Sequence, residues 1–260
     1  MINFNYWYIF PVALSVAILC NASGFSGSVL FQPFFNFILG IPIAQSVATG
    51  IATEAIGMSS GAFRYWKMGN KIDIKAVKKV FPYVYAGIVV GIFLFVFLPK
   101  LWLRLVVGCS IFSIAINQLY LVYLGKFGVN NKSDLKVLNS FSSHIKSFFA
   151  GVSSSSTGTG VAEIHQPMLE HDAGLSTKKA NATAILIEAL SNLLITLLNI
   201  KLRNINHEIL IFSASGVLIG GQIGPVVSNY VSDRILKILF GISVSVIGLF
   251  YIFTSMWQLV

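Results

Sequence analysis

The sequence predicts an all-α integral membrane protein of two inverted structural repeats, each a re-entrant or broken-helix hairpin plus three transmembrane helices. Three observations predict it. Apolar residues make up 55% of the 260 and charged residues only 10%, against about 25% charged in soluble domains. The chain also repeats itself. Gln32-Pro33 and Glu54 recur as Gln166-Pro167 and Glu188, each 134 residues later, and eight of the 24 positions from Gln32 to Ala55 match their partners without a gap. Finally, the basic residues are sorted. Of 18 Lys and Arg, 14 fall in the loops 64–79, 125–146, 178–179 and 234–237, and the other four are Lys100, Arg104, Lys201 and Arg203.

The apolar runs lie near 5–22, 27–40, 46–66, 77–98, 101–124, 145–152, 161–169, 179–200, 208–231 and 235–257. A membrane-spanning helix takes about 20 apolar residues. Runs 5–22 and 27–40 flank the break Gly24-Phe25-Ser26-Gly27-Ser28, and runs 145–152 and 161–169 flank the break 151–160. The latter two are too short to cross separately at about 1.5 Å per residue, so each pair reads as a hairpin. Non-helical backbone at membrane depth survives only where protein or a water-filled cavity satisfies it, so the breaks face each other or a shared cavity. The runs 46–66, 77–98 and 101–124 complete a first repeat, residues 1–124. The linker is 125–144, and 145–260 is the second repeat. Three crossings per repeat is an odd number, which inverts the second. The 14-residue set of loops then becomes the cytoplasmic side and both termini lie outside. Trp7, Trp66, Trp102 and Trp257 fall near span ends, as interfacial tryptophans do.

Several classes are excluded. The positive charges sit in short gaps between spans, which is a topology signal and not a nucleic-acid surface. Strand-like alternation is absent. The N-terminus has no basic region ahead of its apolar run, so no cleaved signal peptide is predicted. No P-loop, nucleophile elbow or dinucleotide fingerprint occurs, and no metal or cofactor is expected. Cys20 and Cys109 read as small buried apolar side chains. Thr49, Thr53, Gly57 and Gly61, then Gly87 with Gly91, then Gly216, Gly220 and Gly224, repeat at spacings that let helices approach closely in lipid.

The chemistry concentrates in the breaks and in two acids. Each break precedes a short helix whose first N–H groups have no intrahelical partner and favour an anion. Gly24, Ser26, Gly27, Ser28 and Gln32, with Ser154, Ser155, Ser156, Thr157, Gly158, Thr159, Gly160, His165 and Gln166, are therefore the expected substrate-binding residues. Transporters with inverted repeats bind substrate near the midplane between broken helices. Glu54 and Glu188 sit mid-span, where a charge costs at least about 2.5–3.5 kcal/mol, so they face a cavity or stay protonated. They are the proton-coupling candidates, Glu188 foremost, because Asn181, Asn192, Thr196 and Asn199 share its helical stripe while glycines surround Glu54. Thr49, Thr53, Asn181 and Asn192 are expected to line the cavity. Glu163, His165, Glu170, His171 and Asp172 have no metal-ligand spacing, and the last three fall at the membrane edge.

The ordered motifs resemble one family. The glycine-rich break, Pro33, Gly40 and Ala48-Thr49-Gly50, repeated as Gly158-Thr159-Gly160, Pro167, Gly174 and Ala182-Thr183-Ala184, with Asn70-Lys71-Ile72-Asp73 before the Gly87/Gly91 helix, are similar to the TauE/SafE sulfite exporters over essentially the whole chain. The resemblance implies a transporter of sulfite, sulfoacetate or a related organosulfonate, and not an enzyme. The chain departs from the family's pattern at Ser26, Ser28 and Ser153–Thr157, where glycines are usual, and at Ile51–Glu54, where threonine-serine follows. The expected partners are a small anion and the bilayer of the cell membrane, with a homo-oligomer compatible and no nucleic acid. An anion channel on the same scaffold is the nearest alternative. A membrane enzyme or assembly factor using Glu163 and His165 is the more distant one.

Overall fold

The computed structural model describes residues 6–69, 72–124, 133–202 and 205–257. These form ten α-helices and no strand. The first half holds α1 (Ile9–Ser23), α2 (Ser28–Pro33), α3 (Ile43–Lys67), α4 (Ile74–Val96) and α5 (Lys100–Tyr123). The second holds α6 (Phe141–Thr157), α7 (Val161–Pro167), α8 (Thr177–Leu202), α9 (His207–Val227) and α10 (Asp233–Trp257).

Local conformation repeats at the offset of the sequence. Gly24 ends α1 at φ 80°, and Gly158 ends α6 at φ 70°. In each case the glycine N–H returns to the carbonyl four residues back, Cys20 at 2.9 Å and Ser154 at 2.6 Å. Pro33 and Pro167 close α2 and α7. A proline lacks the N–H that the regular ladder needs, and each is followed by one wide π-type turn, Phe34–Ile38 and Met168–Asp172. Gly40 and Gly174 then turn the chain at φ 68° and 67°, and α3 and α8 begin.

Three helices are both long and apolar enough to cross a membrane by length and composition among the described residues: Ile74–Leu94 of α4, Thr177–Ile200 of α8 and His207–Val227 of α9. At about 1.5 Å per residue, the 25 residues of α3 are as long. Its lower hydropathy has a packing cause, since it is buried along most of its length and carries Gly, Ser and Thr at its contacts. Each half leans on the other. Helix α1 packs on α9, α6 on α4, α3 on α8 and α9, and α5 on α10.

Three expectations need correction. The serine run is helical: α6 extends through Ser153–Thr157, so the second break is only Gly158–Gly160. With 17 residues, α6 is a longer arm than run 145–152 implied, and it starts at Phe141, inside the expected linker. Linker residues 125–132 lie outside the described residues. Cys20 is buried, but Cys109 faces outward.

Candidate functional site

The two breaks meet at the centre of the molecule. The hydroxyls of Ser26 and Ser28 both donate to the carbonyl of Gly158, Ser26 at 2.8 Å, and the Gln32 side-chain amide donates to the carbonyl of Thr157. The first turn is thus stitched to the second without an intervening residue. Asn181 on α8 lies against Gly24, which leaves no room there for a side chain.

Three buried carboxyls surround this junction. Glu54 on α3 accepts the N–H of Gly27 and the N–H of Ser28 (3.1 Å), and it competes with the Gly158 carbonyl for the one proton of the Ser26 hydroxyl, 2.9 Å away. Glu188 on α8 accepts the N–H of Ala162 (2.7 Å) and the Asn192 amide (3.0 Å). Ala162 stands 134 residues after Ser28, so both duplicated acids cap the same position of their own half's short helix. Glu163, at the start of α7, accepts Gly160 N–H and Ser26 N–H, each at 2.9 Å, one donor from each half.

The geometry changes the expected role of the turn donors. The N–H groups of Ser26, Gly27, Ser28, Gly160 and Ala162 are already bonded to carboxyl groups of the chain. Two ion pairs, Lys146–Asp172 and Lys179–Asp73, form without Glu54, Glu163 or Glu188. Among the described residues no group of three or more His, Cys, Asp and Glu is arranged to hold a metal ion.

The other expected site residues separate into those at the junction and those in helix contacts. Thr157 and Thr159 share a hydroxyl contact of 2.8 Å beside the second turn. Ser155 and Ser156 return their hydroxyls to their own helix, at Val152 and Ser153, while the Ser154 hydroxyl is buried with no partner among the described residues. The His165 ring ties α7 to α6. Its Nδ1 lies 2.7 Å from the Val161 carbonyl, which can only accept, so the proton sits on Nδ1, and Nε2 faces the Ser147 hydroxyl at 3.0 Å. Gln166 points toward Glu170 at 3.5 Å. Glu170 itself is buried and takes the Thr177 hydroxyl at 2.6 Å.

Thr49 and Thr53, expected to line a cavity, instead join α3 to α9. Thr49 accepts Asn206 N–H at 3.0 Å, and Thr53 pairs with Ser213 at 2.8 Å. The stripe on α8 does point inward: Asn181, Glu188, Asn192 and Asn199 are buried. Oxygens of Asn181, Asn192 and Thr196, and both polar atoms of the Asn199 side chain, have no partner among the described residues. Glu54 is surrounded by more than glycines, since the first turn supplies it with three donors. Glu163 was the residue the sequence reading undervalued. Its repeat partner is Val29, so the duplication gave no signal. Its place three residues after Gly160, where an acid can cap the helix it belongs to, was the available clue.

The sequence model of the TauE/SafE sulfite exporter family matches residues 9–251. No curated protein and no solved structure matches the chain.

Proposed function

The chain belongs to the TauE/SafE sulfite exporter family, and from that premise we propose that it is a secondary transporter of a small anion, sulfite or an organosulfonate such as sulfoacetate, coupled to protons through Glu188 and Glu54. It is a multi-pass protein of the cell membrane with two inverted halves, residues 1–124 and 145–260. The paired contacts of α1 with α9 and α6 with α4, which exchange under the repeat offset, support two equivalent halves.

One observation carries the coupling. Glu54 and Glu188 cap equivalent positions of the two short helices. A carboxylate there holds the same N–H donors that an incoming oxyanion needs. The anion can take them only when the carboxylate gives up its charge by taking a proton. The Ser26 hydroxyl adds a switch. Its single proton can serve either Glu54 or the Gly158 carbonyl, so protonation of Glu54 frees it for the opposite half. Anion binding and proton binding are thereby one event. The partnerless polar atoms along the α8 stripe support a hydrated path to Glu188.

The test is uptake of labelled sulfite and of several sulfonates into proteoliposomes, with and without a pH gradient. Glu188→Gln is expected to lose gradient-driven uptake while keeping substrate binding, followed by thermal shift, and Glu54→Gln to show a milder defect. Full gradient-driven uptake by Glu188→Gln would remove it from the coupling. Uptake indifferent to the pH gradient in the unaltered protein would favour a channel.

A further inference from the structure

We propose that Glu163 is the acid through which the central junction exchanges protons with one face of the membrane, and that its charge holds the two turns together. The inference rests on the transporter reading above and adds a residue and a route to it. Two independent observations carry it. Glu163 is the described carboxyl that bonds backbone N–H groups of both halves, Ser26 and Gly160. It is also buried and among the residues that line an open pocket of about 540 Å³ between α5, α6 and α7. The walls include Asn117 and Phe149, and the rim carries Lys146, His171 and Asp172. Lys146 and Asp172 pair there at 3.1 Å and are well exposed. Glu54 and Glu188 do not line this cavity.

The charged and titratable groups around Glu163 make its protonation consequential. Glu54 on α3 faces it across Ser26, and Glu188 on α8 faces it across Ala162. Cys20 on α1 is buried, and its carbonyl accepts the Gly24 and Phe25 N–H groups just ahead of Ser26. His165, on its own helix, is turned away to Ser147. Lys146, His171 and Asp172 stand at the rim. A proton entering from the cavity converts the Glu163 carboxylate to the acid and weakens its two charge-assisted bonds, because a neutral carboxyl is the poorer acceptor. One tie between the halves is then loosened, while the hydroxyl bonds to Gly158 remain. Release of the proton restores it. Water in the cavity supplies and receives the proton.

Two measurements test this. In proteoliposomes, Glu163→Gln is expected to cut gradient-driven net uptake about tenfold or more, since the proton-transfer step is lost, while leaving exchange of labelled for unlabelled substrate at equal pH. Glu163→Asp should recover part of the net uptake. Equal loss of both activities, unrelieved by Asp, would mean a structural role and overturn the inference. Normal net uptake by Glu163→Gln would overturn it too, leaving the transporter reading intact. Absence of gradient-driven uptake in the unaltered protein would overturn both. The second measurement does not depend on Glu163 variants folding. Ile164→Cys, in a background without the Cys20 and Cys109 thiols, should react with a membrane-impermeant thiol reagent applied from the Lys146 face. Failure to react from that face, in protein that still transports, would close the route.

Discussion

At the scale of single residues, the duplicated acids were legible and the unduplicated one was not. Glu54 and Glu188 stood out because a carboxyl is expensive in an apolar span and both halves carry one. Their task was harder to read. Capping a helix that starts 26 residues earlier in the chain, as Glu54 caps Ser28, leaves no mark at sequence distances where capping motifs are recognised. Asp73 shows the same limit at the rim. It caps α4 through the N–H of Ala76 (3.0 Å) and pairs with Lys179 on α8 at 2.7 Å. Burial pushes its carboxyl upward, but the hydrogen bond from Lys179, the N–H groups of Ala76 and Lys75 and the Lys179 charge together outweigh that and hold it below the ordinary carboxylate range. Its folded value is depressed, so its stabilisation is in full above the unfolded value near pH 4, an ordinary aspartate pKa of about 3.9. It is lost as pH falls through the lower folded value. Asp73→Asn keeps a cap and removes the charge. In detergent, its melting temperature is expected below that of the unaltered protein at neutral pH, by less than about 1 kcal/mol in stability because the pair is partly exposed. The two curves should converge in acid. A constant offset at every pH would assign the effect to the cap alone.

At the scale of helices, spacing of small residues proved a dependable guide and local polarity did not. The threonine and glycine rows read as contact faces, and they are. The backbone of α6 runs against Gly87 and Gly91 of α4, and α1 against Gly216, Gly220 and Gly224 of α9. The serine run misled because serines compete for backbone hydrogen bonds and read as a break. In α6 that competition is settled inside the helix, where the hydroxyls of Ser155, Ser156 and Thr157 donate to carbonyls three or four residues back. A side chain at Gly91 has no space, since its first carbon would meet the Val152 carbonyl at 2.7 Å and the Ser155 hydroxyl. Gly91→Leu is therefore expected to force α4 off α6 and cost about 1–3 kcal/mol or more. Val90→Leu, on the exposed side of the same turn, should cost little. Thermal unfolding of the two variants in one detergent makes the comparison, and equal melting temperatures would mean that α4 and α6 do not pack this closely.

At the scale of the whole molecule, the helical membrane architecture was legible from apolar runs and the internal repeat from a constant offset. The inversion proposed above makes a direct expectation. Helices α4 and α9 hold equivalent places in the two halves and begin at Ile74 and His207. Lys75→Cys should be labelled by an impermeant reagent only from the cytoplasm, and Glu208→Cys only from outside. Labelling of both from one side would sink the inversion. The cross-packing between halves could not be read from the sequence, because complementarity between faces far apart in the chain has no periodicity of its own. It has a consequence for how the protein is made. Helix α1 is complete long before its main partner α9 exists, and α4 before α6. The first five helices must therefore wait in the membrane with glycine faces uncovered and with Ser26 lacking Glu163. The ribosome has to finish nearly the entire chain before the earliest segments can settle, so assembly is governed by the last helices translated.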